Sequence, residues 1–442
     1  MKKRDIALAI LSLLLFYAIV QSSAGALIKF IASIFIFILL TNYYKRTYNI
    51  PTMYGFLLLR TRKGLLLLNK IAKKHSDLIT LLADMSLGLT FGLLSLFLLD
   101  WMSFKRRLVS VVGGFLLLIG IFFLYPAATL YITSFASMPA SSQTVQGFDI
   151  VLPLITFIGG LFSSTILVTY KAAFSILAML WDKFVVGSDV VVAQGATLLL
   201  PGVTIPLVEG IFALATVLII HEAAHGILAI AGRIRLKSTG LVFFGSLPVG
   251  GFVEPDEQEL MRRPKEVQAR TIIAGVGANF FATLIFGFIF LSFLAITGPF
   301  TANGCFITGG NLPHGTVVTA INGVPGCSSH IEANSTVDLT LSSGETVTFV
   351  SDANGKIGIL AYPLGSNSML RFYSNPLLSF LYHVLGLTLV INLFVGIINL
   401  LPVPLFDGDY ILSIFAGKSL LYKALRYSVL LSFLLLLLPG LL

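Results

Sequence analysis

The sequence predicts a polytopic α-helical membrane protein with a small β-rich insert, and three observations carry that prediction. Of its 442 residues 56% are apolar and only 11% charged, whereas soluble domains hold about 25% charged residues. Apolar stretches of membrane length recur along the chain, and most of the lysine and arginine sits in the short loops beside them. Between two late stretches lies a segment of different character, in which short β-branched runs are separated by glycine-containing turns. The net charge of +9 therefore reports membrane orientation and not nucleic-acid binding, because the cations are not gathered along one soluble face. Two cysteines exclude a cysteine-rich zinc or iron-sulfur module, and no repeat or low-complexity linker is present.

In chain order, Lys2, Lys3 and Arg4 precede an apolar run over residues 6–20. This reads as a membrane anchor, or as a secretory signal with Ser23, Ala24 and Gly25 near a cleavage point; the spans that follow at once favour the anchor. A second span covers 27–40 and ends at Lys45 and Arg46. Over 54–74, leucine blocks alternate with Arg60, Arg62, Lys63, Lys70, Lys73 and Lys74, a basic amphipathic segment suited to the cytoplasmic membrane surface. Further spans are expected at 78–99, 108–135 and 150–180, the last long enough to tilt or to fold back as a hairpin. Crossing each of them once leaves Lys105, Arg106 and Arg107 outside, against the positive-inside tendency, so one of the three is expected to be re-entrant. Asp84 and Asp100 read as structural carboxylates ahead of functional ones.

The span at 205–231 carries His221-Glu222-Ala223-Ala224-His225 near its far end. Residues four apart on a helix share a face, so the two imidazoles present to one point, where Zn2+ fits. A catalytic zinc takes three protein ligands and leaves a fourth position for water, on which Glu222 is placed to act as general base. Chance spacing of two histidines is the plain alternative. Three ionisable side chains within one and a half turns of a membrane-length helix argue against it.

Seven cations, from Arg233 to Arg270, separate this span from the next at 272–296, whereas the loop over 298–375 holds only Lys356 and Arg371. The first loop is expected in the cytoplasm, the second outside it, and the histidine pair toward the cytoplasmic face. Spans at 377–401 and 427–438 follow, with Lys418, Lys423 and Arg426 on the inner side. The first of these closes in Asn399-Leu400-Leu401-Pro402-Val403-Pro404-Leu405-Phe406-Asp407-Gly408. Pro402 and Pro404 break the helix and Gly408 permits a sharp turn, which frees Asp407 to supply the third metal ligand at the depth of the histidines.

The HExxH helix, the NxxPxxxxDG ending and the order of spans resemble the site-2 protease family of intramembrane zinc metalloproteases over roughly residues 201–408. The resemblance implies cleavage of a partner protein's transmembrane segment within the lipid bilayer, in regulated intramembrane proteolysis. Carried over by motif, His221, His225 and Asp407 match the metal ligands, Glu222 the catalytic residue and Asn399 an active-site asparagine. The weaker Gly275-Val276-Gly277-Ala278-Asn279 resembles a family GxxxN signature, with Val276 where many members have proline. Asn279 then either holds substrate or joins two helices by a polar contact. Residues 240–253 read as two short strands around a turn and resemble the family's membrane-associated β-hairpin. Its Gly250, Gly251, Phe252 and Val253 form a candidate edge for an extended substrate; the hairpin as a simple plug is the other reading.

Within 298–375, Val317 to Val324 read as a strand ending in an Asn-Gly turn, with further strands at 337–341 and 346–350. The unit resembles a PDZ-like domain, though short for one and without a clear carboxylate-binding loop, so a filter against bulky ectodomains fits as well as peptide capture. Cys305 and Cys327 both fall in it, either bridged or as two buried thiols.

These readings divide the chain into an N-terminal membrane region over 1–200, a first part of the catalytic core over 201–297, the extracytoplasmic insert over 298–375, and the rest of the core with the last span over 376–442. The expected activity is zinc endopeptidase, in an integral multi-pass membrane protein. A membrane protease of the prenyl-protein-processing type would use a later glutamate where this chain has Asp407-Gly408. A metal transporter or other non-catalytic metal binder would spread polar residues over several spans, and here they form one compact cluster.

Overall fold

The computed structural model describes residues 3–22, 26–53, 55–135, 151–188, 195–196, 199–202, 204–298, 304–313, 316–327, 331–363, 372, 375–417 and 419–440. Lys2, the candidate cleavage residues Ser23, Ala24 and Gly25, and the loop cations Arg371 and Lys418 lie outside the described residues. The chain forms two compact units, one of residues 1–123, 145–285 and 387–442, the other of 124–144 and 286–386. Among the described residues, eight helical segments are long and apolar enough to cross a membrane.

The first unit begins with α1 (Lys3–Gln21) and α2 (Ala26–Tyr48). Asp5 is buried at their junction, where the hydroxyls of Tyr43 and Tyr48 donate to its carboxylate and Tyr44 donates to its carbonyl, so the burial of this charge is offset. The stretch expected as one amphipathic segment is divided. β1 (Thr52–Met53) and β2 (Phe56–Arg60) are strands, and only α3 (Arg62–Lys74) is helical, begun by Thr61, whose hydroxyl accepts from Lys63 N. A run of Phe-Leu-Leu-Leu has no period that separates helix from strand, and pairing with a neighbouring strand decides it.

Next come α4 (Ser76–Phe91), the single turn α5 (Ser95–Leu98), α6 (Phe104–Phe135) and α7 (Val151–Trp181). α7 is two helical stretches joined at a break, and the chain turns back there far enough for Thr156 Oγ1 to reach Ser164 Oγ at 2.7 Å, the fold-back that its length allowed. The break is Gly160, with φ +66°, and a Cβ there would fall 2.2 Å from the carbonyl oxygen of Thr90. At the end of α4, Gly92 (φ +56°) would meet the Gly160 nitrogen at 2.7 Å, so the two helices cross backbone to backbone.

After α8 (Leu207–Ala231), β3 (Leu236–Phe244) and β4 (Leu247–Pro255) pair antiparallel around Gly245-Ser246, with Gly245 at φ +61°. The sheet order is β1-β2-β3-β4, which leaves β4 as a terminal strand lying along α8. α9 (Glu257–Arg262) and α10 (Lys265–Thr297) follow, and after the insert α11 (Pro376–Asn399), α12 (Asp407–Ala416) and α13 (Leu420–Leu437). Leu87, Leu117, Phe162, Ile273, Phe280 and Ile411 form the centre of a core drawn from α4, α6, α7, α10 and α12.

The second unit holds the insert, in which β5 (Cys305–Gly310), β6 (Val317–Ile321), β7 (Val324–Pro325), β8 (Thr336–Leu341), β9 (Thr346–Val350) and β10 (Ile359–Pro363) form one antiparallel sheet. Its order is β10-β5-β6-β8-β9, with β7 folded back on β6 around Asn322 (φ +50°) and Gly323 (φ +75°), the two left-handed positions that an Asn-Gly turn supplies. Ile307, Val318, Val337 and Leu339 fill a small core. Cys305 and Cys327 are joined in a disulfide with Cα atoms 4.9 Å apart. The same unit contains an aromatic cluster in which Tyr131 packs on Phe290 and Tyr382.

Candidate metal centre

α8 turns the imidazoles of His221 and His225 to one side, and their Nε2 atoms stand 3.1 Å apart. Asp407 is the first residue of α12, where its carboxylate faces the positive end of that helix. Its Oδ2 lies 3.3 Å from His221 Nε2 and 3.4 Å from His225 Nε2. The loop from α11 reaches this position through a backbone turn at Leu405, with φ +79°, a conformation rare for a branched side chain. Gly408, expected to make the turn, does something else. It lies inside α12, where a Cβ would strike the carbonyl oxygen of Leu400 at 2.1 Å, so its bare Cα seats the helix against the end of the preceding span.

The hydrogen-bond partners fix which ring nitrogens are free. His225 Nδ1 is 2.8 Å from the carbonyl oxygen of Thr271, which can only accept, so Nδ1 carries a proton and in the neutral ring Nε2 keeps the lone pair. His221 Nδ1 lies 3.1 Å from the side-chain amide of Asn279, whose Oδ1 is buried without a partner. Rotating that amide by half a turn lets Oδ1 accept from Nδ1–H and satisfies both groups. Two lone pairs and a carboxylate oxygen then converge, and Asp407 Oδ2 has no hydrogen bond of its own. Three electron-rich atoms at this separation repel unless a cation lies between them. Donors about 2.0–2.1 Å from a tetrahedral zinc stand about 3.3–3.4 Å from each other, close to the spacings observed here.

α10 makes room for such an ion. At Gly275 a Cβ would lie 2.3 Å from His225 Nε2 and 2.6 Å from His221 Nε2, inside the space in front of the donors. The donor set, the orphaned Oδ2 and this cradle fit a metal held by His221, His225 and Asp407. Glu222 sits beside them, and its Oε2 accepts from Val253 N on β4 at 3.3 Å.

A family model described as peptidase family M50 matches residues 209–439, more than half of the chain and every residue of this cluster. The chain belongs to peptidase family M50. Members of this family, the site-2 protease family, are metalloproteases. The chain is also 26% identical over 226 residues to an uncharacterized protein of Methanocaldococcus jannaschii, an alignment covering 48% of this chain and 59% of the relative. It therefore spans about three fifths of that relative's length. No solved structure matches the chain.

Within this M50 chain the remaining site candidates separate. Asn279 is fully buried behind the ring of His221. Asn399 ends α11 half-buried, and among the described residues no side-chain hydrogen bond ties it to the cluster. Gly250, Gly251 and Val253 line β4 against Leu218, Ile219 and Gly226 of α8, while Phe252 reaches over Gly240 of β3.

Three supporting features have weak sequence signals or none. The Thr271 carbonyl has none, since every residue carries one. Next to it, Arg270 is clamped by the buried Asp84 of α4 at 2.6 Å, and Asp84 also binds Arg106 of α6 at 2.6 Å and α10's own Glu266 holds Arg270 from the other side. On α12, Asp409 is buried and accepts from Tyr422 at 2.9 Å, with Arg426 Nε at 3.1 Å, which secures the helix that begins at Asp407. Exposed Asp100 joins no such network among the described residues.

Proposed function

We propose that this protein is a zinc endopeptidase that cuts transmembrane segments of membrane-tethered proteins inside the bilayer, with its site toward the cytoplasmic side. The convergence of the Nε2 atoms of His221 and His225 with the orphaned Asp407 oxygen next to Glu222, on a helix of membrane length, carries the reading. Zinc, when bound, supplies Lewis acidity toward a peptide carbonyl and toward water. His221, His225 and Asp407 hold it; Asn279 and the Thr271 carbonyl keep both imidazoles in the tautomer that leaves Nε2 free. Glu222 accepts a proton from the attacking water and passes it to the nitrogen of the departing amine.

A substrate must be extended at the cut, because a helix occupies its own carbonyls and surrounds them with side chains. β4 is the strand offered for pairing, and its Val253 N–H is already aimed at Glu222, so an incoming strand there runs past the general base. The insert over 298–375 acts as a PDZ-like filter outside the cytoplasm. Asp407 in place of a glutamate sets this site apart from the prenyl-protein-processing type. The test is Glu222→Gln, assayed with purified protein on a model transmembrane substrate: zinc content and fold should persist while cleavage is lost. Cleavage at the wild-type rate would overturn the mechanism.

A further inference from the structure

α3 is built in two faces. Inward, Leu68 and Ala72 are buried. Outward, Leu66 and Leu67 are 71% and 58% exposed and are flanked by the exposed Lys63, Lys70, Lys73 and Lys74. The helix has no acidic residue, and among the described residues none of the four lysines has an ion-pair partner; the nearby Glu254 is paired with Arg60. Only His75 separates α3 from α4, which begins a membrane-length segment, so the chain itself holds α3 at a membrane surface. Two leucines ringed by four free ammonium groups at that level complement anionic headgroups over acyl chains.

We propose that α3 docks on anionic phospholipid and thereby sets the position of the helix that carries His221 and His225. The inward face leaves no slack for independent movement. A Cβ on Gly226, the residue after His225, would meet Leu68 Cδ1 at 3.0 Å, and one on Gly64 would meet Thr239 Oγ1 of β3 at 2.5 Å. Thr61 and Thr239 exchange two further bonds, Thr61 N to Thr239 O at 2.7 Å and Thr239 Oγ1 to Thr61 O at 3.1 Å. A lipid surface that draws α3 outward or presses it inward therefore acts on α8 and on the sheet that carries β4.

The docking half is independent of the protease reading, and only the activity half rests on it. The probe is Leu66→Cys labelled with an environment-sensitive fluorophore; both native cysteines are in the disulfide, so labelling is selective. The full-length protein is reconstituted in phosphatidylcholine vesicles with and without phosphatidylglycerol. The expected result is a blue-shifted probe, quenched by spin-labelled lipid, with phosphatidylglycerol, and several-fold weaker quenching without it, in high salt, or in the Lys63→Gln, Lys70→Gln, Lys73→Gln, Lys74→Gln variant. Leu67→Cys serves as a second probe site. A water-exposed probe in both lipids, or equal quenching in both, overturns the docking. Cleavage should rise several-fold with phosphatidylglycerol in the parent and stay flat in the glutamine variant. A docked probe with equal cleavage in both lipids overturns the coupling.

Discussion

Substituting Gly275 by alanine tests the metal centre without touching a ligand. The added Cβ would stand 2.3 Å from His225 Nε2 and 2.6 Å from His221 Nε2. Non-bonded heavy atoms rest about 3.5–4.0 Å apart, so the imidazoles must retreat by about 1 Å. A metal site tolerates about 0.2 Å in its ligand distances. Disturbing residues that merely support ligands costs about 10–100-fold in affinity, and a displaced ligand pair should reach at least the upper end, about 2.7 kcal/mol. The backbone of α10 is not the weak point, since alanine favours a helix interior by about 1 kcal/mol over glycine. The assay is zinc per chain, by mass spectrometry of the metal after equilibration with a buffered chelator, alongside thermal unfolding in detergent. Gly298→Ala is the control, because a Cβ there meets nothing within 4 Å. A Gly275→Ala protein that is folded and binds zinc with parental affinity would refute the placement of the metal between these three side chains.

Asn279→Ala should lower zinc affinity by about 10–100-fold, and Asn279→Asp should retain most of it by keeping an acceptor on His221 Nδ1–H, as read in the same chelator competition. Asp84→Asn leaves Arg270, only 11% exposed, and the 44% exposed Arg106 facing a neutral group. Breaking a buried pair costs about 3–5 kcal/mol, and partial exposure of Arg106 puts the expected loss near the lower bound; an unchanged unfolding midpoint would contradict it. Alkylation of the unreduced protein followed by mass spectrometry should find Cys305 and Cys327 unmodified. With a sequence separation of 22, reduction should destabilise the insert by about 3 kcal/mol in the chain-entropy model, and two alkylated thiols from intact cells would exclude the bridge.

Residue type decided what was legible in the sequence. Histidine, glutamate and aspartate are rare inside apolar helices, so His221, Glu222, His225 and Asp407 stood out against their surroundings, and the Asn-Gly at 322–323 announced its turn. Features that act through the backbone were silent. The Thr271 carbonyl has no signature, Gly275 was visible only as one letter of a loose motif, and the turn before Asp407 uses Leu405 where glycine was expected. Residues 56–60 were read as part of one basic amphipathic segment because a leucine run fits either period, and only the pairing of β2 with β3 resolves it. At Gly160 length alone allowed a tilt or a fold-back, and the choice between them depends on the Gly92 backbone of a different helix, which packs against the break.

The Asp84 clamp also has a history during synthesis. Its two arginines arrive at different times, Arg106 after 22 further residues and Arg270 after 186. At about 5–20 residues per second, the first follows Asp84 out of the ribosome in about 1–4 s and the second in about 9–37 s. A carboxylate left alone among apolar helices for that longer interval would resist insertion. Arg106 neutralises it early and so keeps the first half of the protein insertable. Arg270, made last, completes the clamp on Asp84, and the residue next to it, Thr271, carries the carbonyl that meets His225. The clamp thus ties an early segment of the chain to a late one, and the late one is the segment that supports His225.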